Sequence, residues 1–185
     1  MDLFDSLTSK HEQFIAAQKL FFVATAGAEG RVNLSPKGLD SLRIKRVEGS
    51  YSMIRWLNLT GSGNETAAHV LENKRMTIMF CSFDKQPLIL RVYGDARMIS
   101  EGDDEWEDAI SEFPDYTGAR QIFDLHVDLV QTSCGYAVPF YEFKSERDTL
   151  NKWSDNKQRK GIVDYQQEKN RVSLDNKPTG LPNSE

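Results

Sequence analysis

The sequence predicts a mainly β fold, an antiparallel barrel with peripheral helices. Three observations predict it. Short apolar, β-prone runs recur between residues 19 and 132, each too short or too rich in aromatic and branched residues to prefer helix. Turns bearing glycine or proline separate most of them, as hairpin connections require. Helical patterns occur only as short pieces between and after the strands, without the regular strand–helix alternation of a parallel doubly wound sheet.

Residues 9 to 18 read as a short helix, with Ser9 as its cap, Glu12 three residues on, and Phe14 and Ile15 on its apolar face. Lys19 to Thr25 is the first strand. Gly27 and Gly30 mark a hairpin turn, and Arg31 to Ser35 returns as the second strand, stopped by Pro36. A third strand covers Leu42 to Val47 and ends at Gly49; the fourth is Tyr51 to Leu59. After a glycine turn, Thr66 to Glu72 forms a helix, with Asn73 suited to close it. Arg75 to Phe83 and Leu88 to Ile99 are long apolar strands, and Gly94 in the second signals a bulge or a close approach. Residues 103 to 113 form a short acidic helix with Trp106, Ile110 and Phe113 on one face. Gln121 to Thr132 is the last strand. From Lys144 the composition turns charged and polar, with Leu150, Trp153, Ile162, Val163 and Tyr165 as isolated anchors. The expected organisation is therefore a barrel domain over residues 1–143 and a helical extension over 144–185, packed on it and loose from Asn176 onward.

At 185 residues, 39% hydrophobic and 28% charged, the chain has the composition of a globular domain able to bury its own core. A net charge of -5 provides no bulk positive field for nucleic acid or acidic membranes. No apolar run approaches the roughly 20 residues of a membrane span. The N-terminus lacks a signal-peptide pattern, and the only two cysteines are Cys81 and Cys134. A cytoplasmic setting with unbridged thiols is the expectation.

The stretch that carries chemistry is Asn58-Leu-Thr-Gly-Ser-Gly-Asn-Glu-Thr-Ala-Ala-His69. Gly61 and Gly63 let the backbone turn and come close to a ligand. Ser62, Asn64 and Thr66 stand at a helix start, whose free N–H groups form an anion seat. The plain alternative is a capped helix after a loop. Neither the P-loop pattern nor the dinucleotide fingerprint is present. Upstream, Arg31-Val-Asn-Leu-Ser-Pro-Lys-Gly38 sets Asn33 and Ser35 on one side of a strand and adds the point charge of Lys37. Metal and hydrolytic readings fare worse. His11, His69 and His126 are scattered, no Cys-x-x-Cys pair exists, and a Cys134–His126 pair lacks an orienting third group.

These segments, with Phe22-Val-Ala-Thr-Ala, Arg75-Met-Thr-Ile-Met-Phe-Cys-Ser-Phe, Leu90-Arg-Val-Tyr-Gly-Asp-Ala-Arg and Gln131-Thr-Ser-Cys-Gly-Tyr, occur in the order that resembles the pyridoxamine 5'-phosphate oxidase-like, FMN-binding split barrels. The resemblance covers most of residues 20 to 140. It implies a homodimer of six-stranded split barrels with two FMN sites at the interface, each built from both subunits. Carried over by residue, Asn33, Ser35 and Lys37 would line the flavin ring and ribityl chain, and Thr60, Ser62, Gly63, Asn64 and Thr66 would hold the phosphate. Arg91 and the turn Ser133, Cys134, Gly135 and Tyr136 would reach the partner subunit's flavin.

Two departures stand out. The oxidases carry a basic pair at the phosphate helix, where this chain has Ser62-Gly-Asn-Glu, and the stretch Ser173 to Gly180 lacks the arginine and histidine with which their tails grip substrate. Phosphate binding would then lean on backbone N–H groups, the helix dipole and Lys37. The functional expectation is an FMN-dependent oxidoreductase of unassigned small-molecule substrate rather than a vitamin B6 oxidase, with no catalytic side chain named because the flavin carries the redox chemistry. The alternatives are a flavin carrier or sensor without turnover and a haem-binding split barrel.

Overall fold

A computed structural model describes residues 1–47 and 50–182. The elements run β1 (Asp2–Phe4), α1 (Ser9–Ala17), β2 (Phe21–Thr25), β3 (Asn33–Lys37), β4 (Leu42–Val47), β5 (Ser50–Leu59), α2 (Glu65–Asn73), β6 (Arg75–Cys81), β7 (Leu88–Ser100), α3 (Trp106–Ile110), β8 (Ala119–Cys134) and α4 (Thr149–Lys169). All pairings between strands are antiparallel, in the order β3-β2-β6-β7-β8-β5-β4, with β1 added on β8. The fold is thus mainly β with peripheral helices, but the sheet has eight strands rather than six. At three residues, β1 is too short for any period to reveal, and it forms because β8 offers a long partner.

The sheet curls until its two ends meet. Phe21 on β2 and Trp56 on β5 stand several strands apart in the sheet, yet their rings lie 6.2 Å apart. Inside the curl, alternate residues of each strand are buried: Val23, Ile54, Trp56, Ile78, Leu90, Val92, Phe123 and Leu125 are essentially inaccessible. Trp56 stacks on Phe123 at 4.7 Å. Each such side chain contributes about 1.5–3 kcal/mol on burial, so this interior is what holds the sheet closed. A second apolar cluster, Leu57, Ile99, Trp106, Phe113 and Ile122, seats α3 on the outer face. Gly94 serves both expected purposes. The β7–β8 register slips beside it, and a Cβ there would collide with the backbone carbonyl of His126.

Several local expectations change. Thr8, not Ser9, caps α1: its hydroxyl accepts from His11 N–H (3.3 Å), and its own N–H donates to His11 Nδ1 (3.2 Å). Histidine here takes the place usually held by Glu or Gln in a capping box. Pro36 lies within β3 rather than stopping it, because β3 is an edge strand, where a missing N–H is tolerated. Lys74, rather than Asn73, takes the left-handed position after α2, while Asn73 binds the Ala26 carbonyl and the Arg75 N–H. The turn expected at Gly49 lies outside the described residues.

The polar extension forms α4, broken at Gln158 (φ 57°), and lies on the barrel. Ile162 is fully buried, Trp153 and Tyr165 meet edge to face at 5.1 Å, and Arg159 Nη1 donates to the Ala119 carbonyl (3.1 Å). Beyond it, described residues as far as 179 are hydrogen-bonded back to the protein. Ser173 N–H donates to the Lys177 carbonyl, Thr179 is wholly buried, and its hydroxyl donates to the Asn170 carbonyl (2.6 Å). Asp175 and Lys177 pair with Arg31 and Glu72, closing this loop onto the barrel.

Candidate functional site

Where the curled sheet meets itself, β3 and β5 do not pair, and a cavity of about 350 Å³ fills the split. Its walls bring together two distant stretches of sequence: Asn33, Ser35 and Lys37 from β3, and Ser62, Gly63, Asn64 and Thr66 from the glycine turn and the start of α2. Strand alternation turns Asn33, Ser35 and Lys37 to one side, as their spacing predicts. A run of side-chain bonds fixes the arrangement. Ser35 Oγ donates to Asn33 Oδ1 (2.9 Å), and Asn33 Nδ2 donates to Thr66 Oγ1 (3.1 Å). Across the split, Lys37 Nζ donates to Asn58 Oδ1 (3.1 Å), and Asn58 Nδ2 reaches Asn64 Oδ1 (3.4 Å).

The glycine turn differs from its sequence reading in three respects. Neither Gly61 nor Gly63 has a positive φ, so their value is space and not backbone freedom. A Cβ on Gly61 would meet nothing within 4 Å, and one on Gly63 would meet the Glu65 carboxylate first. Asn64 is the N-cap of α2 but makes no capping bond, because its amide is held by Asn58 and by the Asn170 carbonyl. Among the described residues no side chain therefore covers the first N–H groups of the helix, which a chain end of this kind leaves without intrahelical partners. Thr60, expected at the phosphate, is fully buried instead. Its hydroxyl donates to the Gly118 carbonyl (2.9 Å) and accepts from Gln166 Nε2 (2.8 Å).

Charge decides what the cavity can hold. Sequence reasoning missed Arg120, which lines the cavity from β8 and is 5% exposed. Its Nη1 donates to Asn170 Oδ1 (2.6 Å), but its Nε is buried with no partner among the described residues. Burial, opposed in part by Glu65, pulls its pKa down to about 10. Burial and repulsion by Arg120 likewise pull the Lys37 ammonium down to about 8, again with Glu65 opposing. Two cations thus share a desolvated space, and Glu65 is the one carboxylate among the residues described as lining it. An arginine inside an apolar strand was the available signal, but a strand begun at Gln121 passes over it.

The remaining expected site residues lie elsewhere in the chain. Arg91, on β7, donates to Ser133 Oγ on β8 (3.1 Å). Gly135 N–H donates to the Pro87 carbonyl, while Cys134 and Tyr136 are exposed. None of these five lines the cavity. Cys134 and His126 belong to the one strand β8, about 26 Å apart at eight residues' rise, which excludes a nucleophile pair. His69 is buried with its Nδ1 3.0 Å from Thr25 Oγ1, a structural contact. No cluster of potential metal ligands occurs among the described residues.

Comparisons with known proteins agree with this architecture. The family model described as Pyridoxamine 5'-phosphate oxidase matches residues 7–134. The pyridoxamine 5'-phosphate oxidase family protein ustO of Aspergillus flavus is 33% identical over 195 residues, spanning 97% of this chain and 76% of that protein. Among solved structures, HupZ from Group A Streptococcus superposes with a TM-score of 0.53 at 20% identity, covering 74% of this chain and 99% of that one. A pyridoxamine 5'-phosphate oxidase-related, FMN-binding protein from Nostoc punctiforme gives 0.50 at 15% identity, with 70% and 85% covered. At these identities the structural likeness is one of fold, and it is the sequence matches that decide membership: the chain belongs to the pyridoxamine 5'-phosphate oxidase family.

Proposed function

We propose that this protein binds FMN, with the phosphate in the cavity between β3, the glycine turn and Arg120, and works as a flavin-dependent oxidoreductase on a small molecule. The observation that carries the reading is the pair of desolvated cations, Lys37 and Arg120, facing a helix N-terminus that no side chain caps. A buried arginine with an unpartnered Nε calls for an acceptor. A phosphate dianion supplies several at once, and uncapped helix N–H groups add donors of their own. Lys37 and Arg120 would neutralise the phosphate, and Asn33 and Ser35 would offer polar contacts along the ribityl chain. The flavin, when bound, supplies two-electron transfer, and the protein contributes binding, orientation and electrostatics. A haem would need an axial ligand, and no histidine is among the described residues lining the cavity.

The reading includes a homodimer in which Arg91 and the Ser133–Tyr136 turn complete the partner's site. Exposed apolar side chains support a covered surface: Val32 (73%), Leu34 (63%), Tyr136 (83%) and Phe140 (76%) all face solvent in the single chain. No helix among the described residues is long and apolar enough to cross a membrane. The experiment is a fluorescence titration of the apoprotein with FMN and with riboflavin, alongside sedimentation. FMN should bind far more tightly than riboflavin, and the protein should sediment as a dimer at micromolar concentration. Equal affinities would remove the phosphate from this cavity. A monomer would remove the shared site.

A further inference from the structure

Beyond the barrel, one residue of the C-terminal segment has every polar atom hydrogen-bonded, and three of its partners, Gly61, Asn64 and Arg120, line the cavity. Asn170 closes α4 and is fully buried. Its side-chain Oδ1 accepts from Arg120 Nη1 (2.6 Å), and its Nδ2 donates to the Gly61 carbonyl (3.0 Å). Arg120 can only donate and a carbonyl can only accept, so the two partners fix which way the amide faces. The backbone is equally committed. Asn170 N–H donates to the Gln166 carbonyl (2.8 Å), and its carbonyl accepts from Thr179 Oγ1 (2.6 Å) and Asn64 Nδ2 (3.4 Å). Four residues on, Leu174 N–H donates to Glu65 Oε1 (3.0 Å), holding the cavity's one described carboxylate. The same segment therefore holds both the cation and the acid of the cavity.

We propose that the C-terminal segment from Asn170 to Leu174 is a built part of the anion site, with Asn170 a positioning residue that aims the Arg120 guanidinium while Leu174 holds Glu65 aside. The proposal rests on the reading of the cavity as a phosphate seat. It extends the site past residues 7–134, the part that matches the family, and it explains how a turn without a basic pair can take a phosphate. The cation comes from β8, and its direction comes from the end of α4. Asn170 does this without cancelling the charge. A neutral acceptor satisfies one guanidinium N–H and leaves the rest of the cation for the ligand, whereas a carboxylate at 170 would neutralise it.

The test uses the full chain as apoprotein, titrated with FMN and with riboflavin. Asn170→Asp should lower FMN affinity about tenfold or more, the scale of one charge-assisted bond, and leave riboflavin affinity unmoved. In an Arg120→Gln background the same substitution should add no further loss, because its effect passes through the guanidinium. Glu65→Gln should tighten FMN several-fold without changing riboflavin. If Asn170→Asp does not fold, Asn170→Ser is read in its place, since its short side chain cannot bridge Arg120 and Gly61. Equal losses for both ligands would mean a merely structural role and would overturn the proposal, as would a loss that persists undiminished in Arg120→Gln. Equal affinity of the unmodified protein for FMN and riboflavin is a separate result, and it overturns the phosphate seat itself.

Discussion

Two buried arginines on neighbouring strands meet opposite fates. Arg55, on β5, is held by Asp124 through Nε (2.7 Å) and Nη2 (2.9 Å) and by Glu112 through Nη1 (2.7 Å). Arg97 adds a further bond to the same Asp124, whose side chain is inaccessible. These carboxylates raise the Arg55 pKa above its ordinary value. Arg120, on β8 like Asp124, has a neutral amide for its only named partner, an orphan Nε and a lowered pKa. Burying a charge costs several kcal/mol unless a partner offsets it. Around Arg55 the offset is internal and the cluster is structural. Around Arg120 the described residues offset it only in part, through Glu65, which is why we read the site as one kept for an anion.

This difference can be tested from either side. The largest effect is expected at the paired cluster. Asp124→Ala strands Arg55 without its principal partner in a buried setting and should destabilise the protein by about 3–5 kcal/mol, read by chemical denaturation. Arg120→Met at the unpaired site should do the reverse. It removes an uncompensated charge, so unfolding free energy should hold or rise, while FMN affinity should fall by about 10–100-fold, the equivalent of 1.5–3 kcal/mol. If Arg120→Met destabilises as Asp124→Ala does, the two arginines are not different in kind.

The pH dependence probes the second cation of the site. Lys37 has a folded pKa of about 8, below the 10.5 of a free lysine. Between these values the unfolded chain binds the extra proton, so the ligand-free protein should gain stability as pH rises from about 8 to 10.5. Below pH 8 the cost of burying the ammonium is fully present. FMN binding should run the other way, weakening as pH rises through 8 because the cation is lost, while riboflavin binding stays flat. Lys37→Met should abolish both trends, measured as melting temperature and as affinity across that range. The smallest effects belong to the glycine turn. Ser62 is exposed and Ser62→Ala should cost FMN about 1 kcal/mol. Gly63→Val should weaken FMN by crowding the ligand, with little change in apoprotein stability, since only the Glu65 side chain stands in its way.

Every strand but β1, the antiparallel logic, the short helices and the two stretches that meet at the site were legible along the chain. Alternation, glycine and proline punctuation, and the cluster of small polar residues before α2 are local properties, each set by neighbours within a few residues. Asn33, Ser35, Lys37, Ser62, Gly63, Asn64 and Thr66 do converge on one cavity. Other residues acquire their roles only through folding. Thr60 looks like any other polar residue of that turn, yet the fold turns it inward to Gly118 and Gln166. Arg120 looks like a strand residue, and only the pairing of β5 with β8 brings it to the cavity beside the glycine turn. Asn170 lies in a polar tail with no local pattern to mark it, 109 residues from the Gly61 carbonyl it binds. Charge compensation and burial belong to pairs that sequence distance hides, so they appear only when the chain has folded.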